Sequence, residues 1–296
     1  MASEPLTRDM PGLINRLKRA DRIFSVVGFL STLVGVVVVF ILLGALIYLG
    51  LPVLNWKFLS SMPSMNAKDA GILEALVGSL LVISVTVVIA VPLGIAAAVY
   101  LEEYARRNWF TTLVEINISN LAGVPSIVYG LMSAGLIVYQ LKLGKSVLAA
   151  GITLGLLVLP VIIVATREAL RTVPNSIREA AFAMGATPWQ VVWYHLLPYS
   201  AGGIATGVII AVSRALGETA PLIVIGMYLS SKLPAPPFLF SKYVVLPFLM
   251  YDWVQRPTMD FQALAAAAGL VLIGLTFALN AVAMYVRYHA RKRVKW

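Results

Sequence analysis

The chain has 296 residues, 60% of them hydrophobic and only 12% charged, far from the roughly one-quarter charged of a soluble domain. That balance argues against a soluble enzyme and for one membrane bundle, because the apolar segments leave no hydrophilic stretch long enough for a second domain. The absence of Cys and the wide spacing of His195 and His289 argue against metal and disulfide chemistry, and the net charge of +10 flanks apolar spans as topology signals do, which sets nucleic-acid binding aside.

About 20 apolar residues cross a hydrocarbon core, and the sequence predicts six such spans: 23–51, 72–100, 121–141, 147–166, 202–229 and 262–286. An N-terminal arm over 1–22 precedes them and a basic tail over 287–296 follows, with 23–286 as the six-helix bundle. The first span is too long for a signal-peptide core and lacks a small-residue cleavage site, so it is read as retained. Glu74 opens the second span, where a helix macrodipole favours a carboxylate. Glu102 and Glu103 stand four residues before Arg106 and Arg107 and predict i, i+4 pairs on a solvated helix end.

The stretch Trp109 to Ile118 either lies in the interface or extends the third span. Gly123-Val124-Pro125-Ser126 opens that span as a broken helix or a kinked start. Gly144-Lys145-Ser146 carries only the end of a Walker A loop, with Tyr139 where its first glycine belongs, so ATP hydrolysis is not expected of this chain. Gly151-x-x-x-Gly155 and Gly203-x-x-x-Gly207 permit close helix crossings. Tyr243 to Tyr251, with Pro247 inside, is too short to span and is read as interfacial or re-entrant.

Six spans put both termini on one side. That side carries Arg8, Arg16, Lys18, Arg19, Arg22, Arg106, Arg107, Arg167, Arg171, Arg178, Arg287, Arg291, Lys292, Arg293 and Lys295. The other carries Lys57, Lys68, Lys142, Lys145, Lys232, Lys242 and Arg256. Basic residues concentrate on the cytoplasmic side, so both termini are expected to be cytoplasmic.

The connection between spans four and five, 174–198, reads as two short helices with a hinge. Ser176 with Glu179 predicts a capping box after Pro174. Gly185 suits a left-handed terminus, and Thr187 with Gln190 predicts a second box with Pro188 at the first helical position. Ala180, Ala181 and Ala183 leave a face of little bulk, which suits either a docking surface or a tight connector. In span five, Arg214 and Glu218 share a helix face at i, i+4. Charge at mid-bilayer must avoid lipid, so the pair is either a self-neutralising structural pair or a translocation-path site in which the guanidinium fork receives an oxyanion. His195 is read as a partly buried structural residue.

Glu179-Ala180-Ala181, followed by Gly185 and closed by Leu197-Pro198, resembles the EAA loop of ABC-importer permeases, with His195 where that family usually has Ile. The run Ser213 to Leu222 resembles the corresponding helix of phosphate-specific ABC permeases, and its ending Glu218-Thr219-Ala220-Pro221-Leu222 is similar to the PstA-type subunits rather than the PstC-type sisters. The resemblance implies an all-α membrane protein with six transmembrane helices, a type I ABC importer permease fold and a place in the cell membrane. It implies an ATPase-coupling role for Glu179, Ala180, Ala181 and Gly185, and a substrate path at Arg214, Glu218 and Thr219. It also implies a homologous sister permease, two copies of an ATPase subunit that carry the Mg-ATP, and an extracytoplasmic phosphate-binding protein, with no cofactor or metal in this chain. A PstC-like sister, a molybdate or sulfate permease, a secondary transporter or channel, and an intramembrane enzyme are the alternatives; a secondary transporter or channel gives the EAA-like loop no purpose, and an enzyme would have only Arg214 and Glu218 to offer as convergent groups.

Overall fold

The computed structural model describes residues 10–106, 108–227 and 232–292, and these form helices and their connections with no strand among them. In chain order the helices are α1 (Met10–Gly50), α2 (Trp56–Ser60), α3 (Leu73–Val99), α4 (Trp109–Leu121), α5 (Ser126–Ser133), α6 (Val147–Arg171), α7 (Asn175–Ala183), α8 (Pro188–Val191), α9 (Leu197–Gly217), α10 (Ala220–Ile225), α11 (Leu246–Val254) and α12 (Met259–Lys292). Single π-helical turns extend α3 over Tyr100–Tyr104, follow α5 over Ala134–Gln140 and join α8 to α9 over Val192–Leu196. Five helices are long and apolar enough to cross a bilayer, or six when α4 and the α5 segment count as one bent span. The first nine residues of the predicted arm, Arg107, positions 228–229 of the predicted fifth span and positions 293–296 of the tail lie outside the described residues.

The six predicted spans are present with altered outlines. α1 starts at Met10, well before position 23, and lies against α12 with most of its apolar surface exposed. The third span is bent: α4 and α5 meet at 106°. A straight extension through Trp109 to Ile118 is thereby excluded, and Gly123 to Pro125 lie in a non-helical break, the broken-helix form of the two expected. The Tyr129 hydroxyl donates to Leu121 O at 2.9 Å and ties α5 back across the bend.

The fifth span departs most from its expected form. α9 begins as a continuation of α8, so one rod runs from Pro188 to Gly217, and it then stops at Glu218 (φ −80°, ψ 113°) before α10 resumes. Arg214 and Glu218 therefore do not share one continuous helix. Local sequence contributes to the break. Pro221 has no N–H to offer the Gly217 carbonyl four residues back, and its ring would collide with that carbonyl in an unbroken helix.

α6 sits between α3 and α9, and α12 packs on α9 while carrying α1 and α11. Glycine allows the central contacts. A Cβ on Gly151 would strike Val85 of α3, and one on Gly203 or Gly207 would strike Ala169 or Ala165 of α6, so both GxxxG pairs lie at true crossings. The Thr86 hydroxyl bonds Gly151 O at 3.2 Å across the first of these.

Much of the Tyr243 to Tyr251 patch is buried against other helices, while Tyr251 at its end is exposed. Leu246, Leu249 and Trp253 are fully buried against Phe58, Ile72 and Phe261, and Leu246 N donates to Ser79 Oγ at 2.8 Å. At this junction a Cβ on Gly78 would run into the Val244 carbonyl oxygen, a backbone atom that cannot swing aside. Gly78→Ala should therefore destabilise the fold by about 1–3 kcal/mol through overpacking. Gly28→Ala, with nothing within 4 Å, should be neutral or better. Thermal unfolding of the two variants in detergent measures the contrast.

Candidate functional site

Two regions carry the polar chemistry, the break in span five and the α6–α9 connection. At the break, Arg214 in the last turn of α9 stands 3.6 Å from Glu218, which caps that helix in extended conformation. The Arg214 side chain is 41% exposed and that of Glu218 23%. This is a loose ion pair on the flank of the bundle, not a buried one. Thr219 lies in the link to α10, half-buried. Just before them, the Ser213 hydroxyl donates to Asn280 Oδ1 at 2.7 Å and fixes α9 to α12.

Behind Glu218 lies a cavity of only about 10 Å³, walled by Ser79, Ile83, Leu154, Leu222 and Val245. That is room for one water at most. An oxyanion does not fit in that cavity, and Arg214 projects on the open side. Because a cation exposed on an apolar helix is costly in lipid, that side calls for water or a second protein.

The α6–α9 connection is assembled from caps. α7 starts at Asn175 with Pro174 in the cap position and no side-chain cap bond. The predicted Ser176–Glu179 box is thus absent: Pro174 (φ −57°, ψ 138°) already turns the chain into the helix and places Ser176 inside the first turn. The end of α7 is as expected. Gly185 adopts φ +83°, its N–H reaches Phe182 O at 2.9 Å, and Ala186 N reaches Ala181 O at 3.1 Å, the paired bonds of a Schellman terminus. The Thr187–Gln190 capping box forms, with Pro188 opening α8.

The four residues that the family resemblance marks for coupling divide between two faces. Glu179, Ala180 and Gly185 point outward, whereas Ala181 is 7% exposed and packs inward with Val99, Leu170, Val191 and Leu196. Ala181 is a buried anchor, not part of an outer surface. Sequence reasoning passed over Phe182 and Met184, which stand exposed on the same turn, Met184 at 88%. Large apolar residues outside any span, beside a hinge glycine, were the available signal. His195 is half-buried in the π turn.

The acidic end of α3 is wired differently from the i, i+4 expectation. The π turn ends at Ala105, so Arg106 lies beyond the helix and cannot meet Glu102. Instead Glu102 receives Arg167 at 3.2 Å and Arg171 at 2.9 Å, Glu115 of α4 receives Arg167 at 2.7 Å, and Glu103 receives Arg178 at 2.8 Å. These links tie α3, α4, α6 and α7 together at one end of the bundle.

Residues 90–296 match the family described as binding-protein-dependent transport system inner membrane component. The chain is 32% identical over 271 residues to the phosphate transport system permease protein PstA of Haemophilus influenzae, covering 89% of this chain and 92% of that one. It is 34% identical over 232 residues to the same-named protein of Yersinia pestis, covering 77% and 76%. Among solved structures, the inward-facing MetNI methionine ABC transporter aligns at TM-score 0.57 and 19% identity over 74% of this chain and 94% of that one. A bacterial ABC transporter involved in import of the acidic polysaccharide alginate aligns at 0.56 and 14% identity over 73% and 78%.

Since the chain has no native Cys, single cysteines report exposure directly. Met184→Cys should react with a water-soluble maleimide at least about tenfold faster than Ala181→Cys, because local opening is needed to expose the latter. Equal rates would refute the inward placement of Ala181.

Proposed function

The chain belongs to the family of binding-protein-dependent transport system inner membrane components, and from that membership we propose that it is the permease subunit of an ATP-driven importer of inorganic phosphate. It is a multi-pass membrane protein with the type I ABC importer permease fold. Its curated relatives named as phosphate permeases match along most of their own length, which supports the substrate. In this reading the chain forms half of the translocation path and a homologous sister permease forms the other half. Two copies of an ATPase subunit bind Mg-ATP, and an extracytoplasmic phosphate-binding protein delivers the anion. The bias of basic residues supports cytoplasmic termini and a cytoplasmic α6–α9 connection in the cell membrane.

The observation that carries the path assignment is the half-exposed Arg214 at the break in span five. Its planar fork matches the edge of a phosphate, and Glu218 at 3.6 Å is a weakly held partner that an incoming anion can replace. Between transport events Glu218 balances the charge, and Thr219 adds a hydroxyl beside it. At the other end Glu179, Ala180 and Gly185, joined by Phe182 and Met184, form the surface on which the ATPase docks. Ala181 holds that surface in place from within.

Proteoliposomes that hold the permease pair, the ATPase and the binding protein should accumulate labelled phosphate only with ATP, against excess sulfate or molybdate. Arg214→Gln should cut turnover about ten- to a hundredfold, the worth of one charge-assisted hydrogen bond, without changing which anion is preferred. Accumulation of another oxyanion would overturn the substrate, and uptake without the ATPase would overturn the ATP-driven reading.

A further inference from the structure

α7 is a helix of nine residues without a side-chain cap, far too short to hold its own direction in water. Two apolar side chains anchor it, Ile177 and the buried Ala181. Among the described residues, its hydrogen bonds to the spans pass through Arg178. The Nη2 of Arg178 donates to Glu103 Oε1 at 2.8 Å and to Leu170 O at 3.2 Å; its Nη1 donates to Val173 O at 2.9 Å and Asn175 Oδ1 at 3.2 Å; its Nε donates to Glu103 Oε2 at 3.4 Å. A guanidinium has five N–H donors, and here each has an acceptor.

The acceptors belong to different parts of the molecule. Glu103 lies on the π turn that prolongs α3, Leu170 in the last turn of α6, Val173 in the link after it, and Asn175 on α7 itself. The Arg178 and Glu103 side chains are 18% and 14% exposed, so water screens the pair poorly. Removing either partner strands a desolvated charge. Beyond α7 the geometry is the opposite: Gly185 at φ +83° has nothing within 4 Å of where a Cβ would be. The helix is clamped to the spans at its first turn, and its last turn ends at a glycine with open space beside it.

The cluster is not a second anion site. Its three guanidiniums, Arg167, Arg171 and Arg178, are matched by four carboxylates, Glu102, Glu103, Glu115 and Glu168, and each of the three is engaged.

We propose that Arg178 and Glu103 are positioning residues for coupled transport: their clasp is the rigid joint through which displacement of α7 by the ATPase reaches α3 and α6. This builds on the reading of α7 as the ATPase-docking helix. Without the clasp α7 still presents its outer face, but it tilts against the spans instead of carrying them along. The ATPase then binds and turns over while the path moves less often. Lysine cannot replace the arginine, since a single ammonium has three donors and no planar fork.

The test uses the complete reconstituted transporter with Glu103→Gln, Arg178→Lys and the double variant, and reads three quantities: ATPase retained on purification, ATP hydrolysed, and phosphate imported per ATP. The expected result is retained ATPase, continued hydrolysis, and import per ATP reduced about tenfold in each single variant, the upper range for coupling through a network. The double variant should be no worse than either single one, because both remove one joint. Should one variant not fold, the other carries the same expectation.

Wild-type import per ATP in an assembled variant would overturn the joint. Loss of the ATPase from both variants would also overturn it, because the pair would then shape the docking surface rather than transmit through it. Failure of the docking reading is separately visible: a photocrosslinker attached at Met184→Cys in the otherwise unaltered transporter would then not capture the ATPase, and the joint would fall with it.

Discussion

A backbone amide inside a bilayer has no water to bond, so every departure from helical pairing must be closed by the protein itself. This constraint explains why the chain is helical nearly throughout and why its irregular points deserve a reason each. At Ala122 to Pro125 the reason is a turn between two helices, closed by the Tyr129 hydroxyl on Leu121 O. At Glu218 and Thr219 the freed groups are re-used locally: Glu218 N bonds Ala215 O, and Leu222 N and Ile223 N both return to Thr219 O. A break costs less where polar chemistry already excludes lipid, and the fifth span breaks beside its own arginine.

Local rules were legible wherever the partners are near in sequence. The Thr187–Gln190 box, the left-handed Gly185 and the two glycine pairs could be read because caps and helix faces are set by spacings of three and four residues. The Ser176–Glu179 box obeyed the same spacing and still failed, since Pro174 had already made the turn. The partners of Glu102 and Glu103 lie 65 to 75 positions away on two helices, α6 and α7, brought alongside only by packing, and no short window along the chain contains them. Pro221 was visible, yet Pro92 and Pro160 sit inside unbroken helices. Proline by itself therefore does not decide where a packed span gives way.

The polar groups follow two contrasting designs. Toward α7, Arg167 and Arg178 are bonded at 2.7–3.2 Å to carboxylates on other helices and are themselves only 11% and 18% exposed, and such shielded pairs are costly to take apart. At the break Arg214 has one weak partner at 3.6 Å and considerable exposure. Firm pairing suits a frame that must move as a unit. Loose pairing suits a site whose contents must come and go. The same residue type thus serves opposite purposes, and the difference lies in how many acceptors from neighbouring helices surround it.

The continuous rod from Pro188 to Gly217 joins those two designs. At 1.5 Å per residue it is about 45 Å from end to end, and its only irregularity is the π turn at Val192–Leu196. A π turn holds one residue more than an α-helix would need there, and each residue turns a helix by about 100°. The surplus residue therefore sets the azimuth of α7 and α8 relative to Arg214. Length along the rod is fixed by residue count, but the angular phase between its two functional ends is shifted at this one turn.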